Sequence, residues 1–490
     1  MIARFARRVL IALAFVLLAT ANSAGYRYAA SDQAFYIPAV LRHLDPTLFP
    51  ADAPLIDSQA RLTVVDEAIA GVVRITRLSL PVLFLAAYLA TLCLLLAGAA
   101  RLGRHFFSER WTVVALAAAL TLRHAIAKTG ANTLEGYFHP RELAFAVSVW
   151  ALACWIERRH LWCIVLLIAA AAIHSTTALW FMLLIGSATL VRQRLSWRTI
   201  CVIAAAMIGL AAVVTGFGPL ANRFVRMDPP WMAVIAEKDY LFPLGWPADA
   251  WITNLIPIAV ILACWRMRRS SGRLFEGESA LVGGAVALVL IFFAWLPFDA
   301  ARVALAVQLQ VGRLFWVLDF LATIYLVWAM AEFHASPVRA RALAGLLLVL
   351  STARGGYSMS GPFHDRALFA IHIANDDWRD AMTWAQSTPA SSNWLADPMH
   401  AARYGSSVRA AGQRDVFLEE IKDTAIAMYD RRIAMRVSDR ERALAEHPWD
   451  TVNGARALAQ TYGLDYLVID RPLPLVEAHR AGSLHIYHLR

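Results

Sequence analysis

The stretch "LPVLFLAAYLATLCLLLAGAARLGR", residues 80–104, decides the fold class of this 490-residue chain. It runs for about 20 residues without a charge before Arg101, which is the length that a helix needs to cross a bilayer. Hydrophobic residues make up 59% of the whole sequence, whereas soluble domains average roughly 45–50%. We therefore predict a polytopic α-helical membrane protein rather than a soluble protein with a large core.

Apolar segments recur over residues 1–353, and arginines mark every second connection between them. The segments lie at about 9–24, 80–100, 111–127, 142–157, 161–173, 176–191, 200–217, 251–265, 280–297, 303–331 and 341–353. The arginine clusters are Arg4, Arg7 and Arg8; Arg101, Arg104 and Arg110; Arg158 and Arg159; Arg192, Arg194 and Arg198; Arg266, Arg268 and Arg269; and Arg339 and Arg341. Short arginine-rich connections are typical of cytoplasmic loops. The pattern predicts about eleven transmembrane helices, with the N-terminus in the cytoplasm and the C-terminus on the outer side.

Two stretches allow more than one interpretation. Residues 161–191 could form one long helix or two short ones, but a single helix would move the later arginine clusters to the outer side. We therefore predict a helical hairpin that turns at His174. Residues 1–24 combine a basic start with the small-residue end "ATANSAG", which fits either a retained first helix or a cleavable signal peptide.

Charge and cysteine content exclude other classes of protein. The net charge of +10 does not predict a nucleic-acid partner, because the arginines lie at the ends of apolar runs instead of along a binding stripe. All five cysteines lie inside or at the edge of apolar segments. Their spacing matches no disulfide or zinc framework, so we interpret them as packing residues.

The first outer loop, residues 25–79, is long and contains a predicted amphipathic helix. After the Pro- and Asp-rich stretch "LDPTLFPADAPLID", apolar side chains recur every three or four residues from Leu62 to Val73. Such a helix can lie in the membrane interface. A plain connector that packs on the bundle is the alternative.

The candidate functional residues all belong to the outer side. Ionisable groups within membrane spans cost a few kcal/mol each and usually face a cavity or a partner. Asp32 follows the first apolar segment, where a solvated loop charge or a helix cap is the alternative interpretation. Arg302 and Arg313 are candidates for an anion site, or else for buried pairs with Asp299 or Asp319. The other candidates are Glu135, His139, Arg141, His174 and Asp228.

Residues 354–490 have a different composition, with dense charges and few long apolar runs. "SNWLAD", "LDYLVID" and "SLHIYHLR" are typical of strands, whereas "FLEEIKDTAIAMYDRRIAM" and "TVNGARALAQTYG" are typical of helices. "TARGGYSMSG" lacks the spacing of a nucleotide-binding loop, and we interpret it as a linker. This region is predicted to be a small extracytoplasmic α/β domain that caps the bundle or presents an acceptor.

The stretch "SDQAFYIPAV" after the first segment, the long outer loop and the many short spans resemble the GT-C superfamily of polytopic glycosyltransferases. "WRDAMTWAQSTPASSNWLADP" and "LAQTYGLDYLVIDRP" look similar to the domains that follow such bundles. The resemblance implies a polyprenyl-phosphate sugar donor, a glycan, lipid or protein acceptor, and a site in a bacterial inner membrane. The superfamily's acid in the first outer loop maps to Asp32. Because Asp32 stands alone instead of in a two-acid form, use of Mg or Mn is left open.

The chemistry of such a transfer is consistent with a single acid. A sugar that leaves a lipid phosphate departs from a weakly basic group, so no general acid is required, unlike in glycosidases. One base, Asp32, can deprotonate the acceptor hydroxyl. Arginine forks from Arg302, Arg313 or Arg141 can stabilise the departing phosphate.

Two other classes of function remain as alternatives. A transporter or lipid-linked glycan flippase would show internal repeats and broken helices with charges near the middle of the membrane. The sequence has no convincing repeat, and its charges gather toward the outer ends. A membrane scaffold whose outer domain binds a partner is the third possibility.

Overall fold

The structure is a computed structural model that describes residues 2–490 except 194–195, 197, 200, 203–204, 207, 210–222, 335 and 374. It is mostly helical up to residue 360, as predicted. The helices of this part are α1 (Ile2–Asn22), α2 (Gln33–Leu44), α3 (Ala53–Ala60), α4 (Val65–Thr76), α5 (Leu80–Phe106), α6 (Arg110–Leu120), α7 (Pro140–Ile156), α8 (His160–Ile173), α9 (Ser175–Gln193), α10 (Pro229–Ile235), α11 (Ala248–Ser270), α12 (Glu278–Ala300), α13 (Ala304–Leu309), α14 (Leu314–Glu332) and α15 (Pro337–Ser360).

Five helical segments within the described residues are long and apolar enough to cross a membrane. They are α5, α9, α11, α12 and Ala304–Glu332, the last of which joins α13 to α14. Shorter apolar helices lie at Val9–Asn22, Arg110–Leu120 and His160–Ile173. The predicted segment at 200–217 lies largely outside the described residues. The structure thus confirms a helical protein with several helices that could span a membrane, and the number of about eleven spans stays a prediction.

The hairpin at His174 is present as the sequence predicted. Helix α8 ends at Ile173 and α9 begins at Ser175, with the backbone of His174 extended between them. The Nδ1 atom of His174 accepts hydrogen bonds from the Thr177 amide at 3.3 Å and the Thr177 hydroxyl at 3.0 Å. The ring therefore satisfies a free amide at the start of α9, which helps to fix the turn.

One predicted helix is interrupted. The apolar run at 303–331 breaks at Gln310, whose backbone is left-handed with φ 51°, and a 3-10 turn over Val311–Arg313 follows. Gly312 is required beside this break, because a Cβ atom there would lie 2.6 Å from Cη2 of Trp246. Apolar continuity alone could not predict the break, which lies beside a contact with a tryptophan that is distant in sequence.

Helix α15 extends further than the sequence predicted. Residues 352–361 were interpreted as a linker, but α15 continues to Ser360. Gly355 allows α15 to approach α1 closely, since a Cβ atom there would lie 3.0 Å from Cβ of Ala21. Asn22 also donates hydrogen bonds of 3.0 Å to the backbone carbonyl and the hydroxyl of Ser351. These contacts hold the C-terminal parts of α1 and α15 together.

The amphipathic helix of the first loop is α4. It buries Val65, Asp66 and Ala70 against the protein, while Val72 and Ile75 are exposed, Ile75 by 83%. Exposed apolar side chains on a helix with a second, buried face fit the predicted location at an interface with lipid.

The C-terminal region, residues 361–490, contains a five-stranded mixed sheet with strand order β6-β5-β7-β9-β8. Strands β5, β6 and β7 are parallel, and β9 pairs antiparallel with β7 and β8. The strands are β5 (Asn393–Leu395), β6 (Asp415–Val416), β7 (Tyr466–Ile469), β8 (Glu477–Ala481) and β9 (Leu484–His488); the helices are α16 (Asp376–Ser387), α17 (His400–Tyr404), α18 (Val408–Ala411), α19 (Glu420–Ile426), α20 (Arg431–Glu446) and α21 (Val452–Tyr462).

The predicted strands are present, but the predicted helix over "FLEEIKDTAIAMYDRRIAM" is divided. A 3-10 turn at Ala427–Tyr429 separates α19 from α20, and the side chain of Asp430 caps α20. The carbonyls of this turn accept hydrogen bonds from the bundle: Ala427 from Trp231 at 2.8 Å and Met428 from Gln308 at 2.9 Å. The interruption therefore creates a contact between the C-terminal region and the bundle.

Two further contacts join the C-terminal region to the first outer loop. Strand β1 (Tyr26–Arg27) pairs parallel with β4 (Phe369–Ala370). The fully buried Asp52 makes the second contact: it binds Arg409 at 2.6 Å and contacts Arg436 and Arg440.

A separate pair of short strands, β2 (Ala125–Ile126) and β3 (Ala131–Asn132), forms an antiparallel hairpin after α6.

Candidate active site

Asp32 immediately precedes α2. Its side chain makes no capping hydrogen bond and is 29% exposed, so it is neither a helix cap nor a freely solvated loop charge. Ala29 and Ser31, just before it, have left-handed backbones with φ of 60° and 52°. Such strain in residues other than glycine costs of order 1–3 kcal/mol each and is found most often at functional sites. The buried Gln33 holds this turn through hydrogen bonds to Ala29 and Phe138.

His139 binds one oxygen of Asp32, and its protonation state follows from the geometry. Its Nδ1 atom lies 3.0 Å from the backbone amide of Arg141, which can only donate. Nδ1 must therefore accept, so the ring proton of the neutral imidazole resides on Nε2. Nε2 then donates to Oδ2 of Asp32 over 3.1 Å. Burial and the nearby Arg141 charge lower the pKa of His139 to about 4, so this ring is neutral near pH 7.

Lys422 of helix α19 binds the other oxygen of Asp32. Its Nζ atom lies 2.6 Å from Oδ1 and 3.4 Å from the hydroxyl of Ser31. Burial by itself would raise the pKa of Asp32, but Lys422, His139 and Arg141 outweigh burial and hold that pKa well below its ordinary value. Asp32 is thus ionised, and the C-terminal region supplies its closest cation.

Asp32 lines a cavity of 560 Å³ between the C-terminal ends of α1, α6 and α15 and the N-terminal end of α7. Five arginines also line it: Arg27, Arg123, Arg141, Arg354 and Arg366. Among the described residues that line it, two carry a carboxylate, Asp32 and Glu135. A concave site with such an excess of guanidinium groups is suited to bind an anion, and phosphate matches the geometry of arginine forks.

Glu135 binds two of the five arginines and leaves three without a carboxylate. Its oxygens lie 3.0 Å from Nη2 of Arg141 and 3.8 Å from Nη2 of Arg123. Among the residues that the structure describes, no carboxylate lies within ion-pair distance of Arg27, Arg354 or Arg366. The Nε atom of Arg27 is buried without a hydrogen-bond partner, and the guanidinium group of Arg366 lies over the ring of Phe363. These three guanidinium groups can therefore bind an anion without breaking an existing ion pair.

The structure places the sequence-predicted residues in different surroundings. Asp32, Glu135 and Arg141 line the cavity. His139 donates a hydrogen bond to Asp32. His174 lies next to His139, with a distance of 6.3 Å between the two ring centroids, and it caps α9.

Arg302, Arg313 and Asp228 do not line the cavity. Arg302 lies over the ring of Phe242 at 4.5 Å, and Nε of Arg313 is buried without a hydrogen-bond partner. Neither arginine forms the alternative pair with Asp299 or Asp319, because Asp319 binds His124 at 3.0 Å and Oδ2 of Asp299 has no partner. Asp228 pairs with Arg431 at 2.6 Å and so connects α10 to α20.

Five charged residues at this site were not among the sequence-based candidates: Arg27, Arg123, Arg354 and Arg366 line the cavity, and Lys422 binds Asp32. Arg27, Arg354 and Arg366 carry a recognisable signal in retrospect, because arginine is otherwise concentrated at the opposite ends of the apolar segments. Lys422 also has one: it is one of just three lysines in a chain with 46 Lys and Arg residues, the others being Lys128 and Lys238. No local pattern, however, links it to Asp32.

No protein-family model matches this chain, and no curated protein matches it. Within the described part of the chain, no group of three or more His, Cys, Asp and Glu side chains is arranged to hold a metal ion. The site combines an ionised carboxylate, a strongly cationic cavity and a neutral imidazole that donates a hydrogen bond to the carboxylate.

Acid is expected to destabilise the protein through His139. Its pKa is about 4 in the fold instead of 6.5, so between these values the unfolded chain binds a proton that the folded chain does not. The neutral ring therefore contributes about 3 kcal/mol to the free energy of unfolding above the ordinary pKa. This contribution is lost as the pH falls from 6.5 to about 4.

The His139→Asn variant tests this expectation, because asparagine can still accept the amide proton of Arg141. Thermal unfolding of the detergent-solubilised variant is expected to change less between about pH 7 and about pH 4.5 than that of the wild type. His400, whose pKa burial lowers to about 4, titrates equally in both proteins and cancels in the comparison. Equal acid sensitivity of the two proteins contradicts the assignment.

Proposed function

We propose that this chain is an integral membrane glycosyltransferase that moves a sugar from a polyprenyl-phosphate-linked donor to an acceptor, with Asp32 as the base. The observation that carries the proposal is the 560 Å³ cavity in which Asp32 lies among five arginines. A carboxylate can accept a proton there, and the cations can stabilise the charge that develops on a departing phosphate. The resemblance to the GT-C superfamily in the first outer loop supports the same function.

The donor phosphate fits the three arginines without a carboxylate partner. Arg27, Arg354 and Arg366 belong to β1, α15 and the segment that follows α15, so they approach the cavity from different parts of the chain. We assign the phosphate to these three residues, with Arg141 as a further cation that lines the cavity. This assignment replaces Arg302 and Arg313, which lie outside the cavity.

A lipid chain can reach the cavity along α15. Leu346 and Leu350 are 52% and 47% exposed, and they share one helix face with Arg354 and Tyr357 because these positions are spaced by four, four and three residues. Arg354 and Tyr357 line the cavity. An apolar stripe therefore leads directly to a phosphate-binding group, as a donor with a polyprenyl tail requires.

In the proposed reaction, the acceptor hydroxyl gives its proton to Asp32 and its oxygen bonds to the anomeric carbon. The bond from that carbon to the phosphate oxygen breaks, and its electron pair leaves with the lipid phosphate. Lys422 must move away from Oδ1 first, because it occupies that oxygen and holds the pKa of Asp32 low. Its departure frees Oδ1 and makes Asp32 a stronger base.

The proposed setting is a bacterial inner membrane with about eleven spans, the N-terminus in the cytoplasm and the C-terminal region outside. The helix ends that surround the cavity all lie on the side of the C-terminal region, opposite the arginine clusters of the sequence. Incubation of the purified protein with radiolabelled polyprenyl-phosphate sugar and membrane extract tests the function. Release of lipid phosphate together with a labelled product supports it, whereas translocation of the intact donor across vesicles indicates a flippase.

The Arg354→Ala variant is expected to bind citronellyl phosphate, a short polyprenyl phosphate, about ten- to hundredfold more weakly than the wild type. This range corresponds to the loss of a hydrogen bond to a charged group, roughly 1.5–3 kcal/mol. Calorimetric titration of the solubilised protein measures it, with citronellol as the uncharged ligand. Arg379→Ala, which removes an exposed arginine of α16, is the control.

Unchanged binding by Arg354→Ala contradicts the phosphate assignment. A loss confined to the Arg302→Ala variant would instead return the phosphate to the arginine that the sequence suggested.

A further inference from the structure

A second cavity, of 260 Å³, lies between the bundle and the C-terminal region. One wall consists of residues 27–34 and the other of residues 401–407 with Ile421 and Lys422. It shares Arg27 and Ser31 with the larger cavity. Neither cavity is formed by one part of the chain alone, and both meet at the turn that carries Asp32.

Small, uncharged side chains line most of this second cavity, and two of its lining residues, Arg27 and Lys422, are charged. Alanine, glycine and serine make up most of it, and none of the described residues that line it has a carboxylate or aromatic side chain. Each charge has another role: Lys422 binds Asp32 at 2.6 Å, and Arg27 also lines the larger cavity, where we assign it to the donor phosphate. Ser31, Ser406 and Ser407 add hydroxyl groups. Such a surface offers hydrogen bonds and room, but no counter-charge for a cationic ligand.

Its position relative to Asp32 is suited to an acceptor. Lys422 forms part of the wall, and its Nζ atom covers Oδ1 of Asp32. A ligand in this cavity that displaces Lys422 brings a hydroxyl to Oδ1 of Asp32, while a phosphate in the larger cavity stays beside the same carboxylate, which lines that cavity. A base must lie within hydrogen-bond reach of the proton that it takes, and this arrangement provides that.

We propose that the second cavity is the acceptor subsite and that it binds an uncharged sugar, the terminal residue of a glycan. This inference rests on the proposed glycosyltransferase function and names its acceptor class. The hydroxyl that reacts displaces Lys422 from Asp32, so the base is uncovered only when an acceptor is present.

Helix α17 allows the cavity to be filled from one side. Ala401 and Ala402 both line the cavity, so Ala401→Phe and Ala402→Trp are two independent ways to occupy it. Ala445→Trp is the matched control, because Ala445 is exposed on α20 and lines neither cavity. The probes are a panel of uncharged methyl hexosides, the corresponding methyl hexuronates and citronellyl phosphate, each titrated into the full solubilised chain with NMR detection.

Wild type and Ala445→Trp are expected to bind at least one methyl hexoside, and the two filled variants to bind it at least about tenfold more weakly. All four proteins are expected to bind citronellyl phosphate equally. The inference is overturned if no methyl hexoside binds the wild type, if only hexuronates bind, or if filling the cavity changes nothing. Failure of the proposed function has a different signature, in which methyl hexosides bind but citronellyl phosphate does not.

Discussion

The Asp32→Asn variant is expected to lose sugar transfer by a factor of about 10²–10⁴, which is the usual contribution of a general base. An amide cannot accept the acceptor proton, although it occupies almost the same volume as the carboxylate. Oδ1 of asparagine can still accept from Lys422, but its amide nitrogen then faces the Nε2 proton of His139, whose tautomer the Arg141 amide fixes. The measurement is the initial rate of labelled lipid phosphate release by purified protein.

The matched control is Asp45→Asn, at the other end of α2. Asp45 is exposed, and its side chain accepts hydrogen bonds from Thr47. This variant is expected to retain the wild-type rate. Because Asp32→Asn creates two opposed donors beside His139, its thermal unfolding is measured in parallel, and a folded but inactive variant supports the mechanism. A folded variant with full activity removes Asp32 from the reaction.

The largest effect on stability is expected for Arg409→Met. The guanidinium group is 1% exposed and binds both oxygens of Asp423, at 2.6 and 2.9 Å, as well as Asp52. Its removal leaves buried carboxylates without their main cation, which costs about 3–5 kcal/mol. Asp423 and Lys422 are neighbours on α19, so the variant is also expected to loosen the contact between Lys422 and Asp32.

Hydrogen exchange followed by mass spectrometry measures this loosening in α19 and in residues 51–52. Arg471→Met is the control, because it breaks an ion pair with Asp450 whose partners are 50% and 39% exposed, and such pairs contribute about 0–1 kcal/mol. A melting temperature of Arg409→Met equal to that of Arg471→Met contradicts the role of the buried cluster.

The sequence was sufficient for the helices but not for their interruptions. Long apolar runs predict helices because lipid leaves the backbone no other hydrogen-bond partners, and the turn at His174 followed from the distribution of arginines. The break at Gln310 lies beside the contact between Trp246 and Gly312, and the extended part of α15 contains Gly355, which packs against α1. These are contacts between distant segments, which no local pattern encodes.

The candidate site was predictable to a similar degree. Asp32 and His139 could be identified individually, because each is a polar residue at the outer end of an apolar segment. Their pairing across 107 positions and the approach of Lys422 across 390 positions are products of tertiary structure. Arg302 and Arg313 show the limit of the method: a charged residue in an apolar run signals special surroundings, but not which cavity it faces.

The pairing of Tyr26–Arg27 with Phe369–Ala370 has a consequence for biosynthesis. The ribosome translates Tyr26–Arg27 and Asp32 long before the strand that completes this pair, or Lys422, which binds Asp32. The residues around Asp32 and those that the C-terminal region adds to the site can therefore assemble only when translation is nearly finished. A polypeptide truncated before Lys422 would carry the arginines of the cavity but not the lysine that binds Asp32 and lowers its pKa.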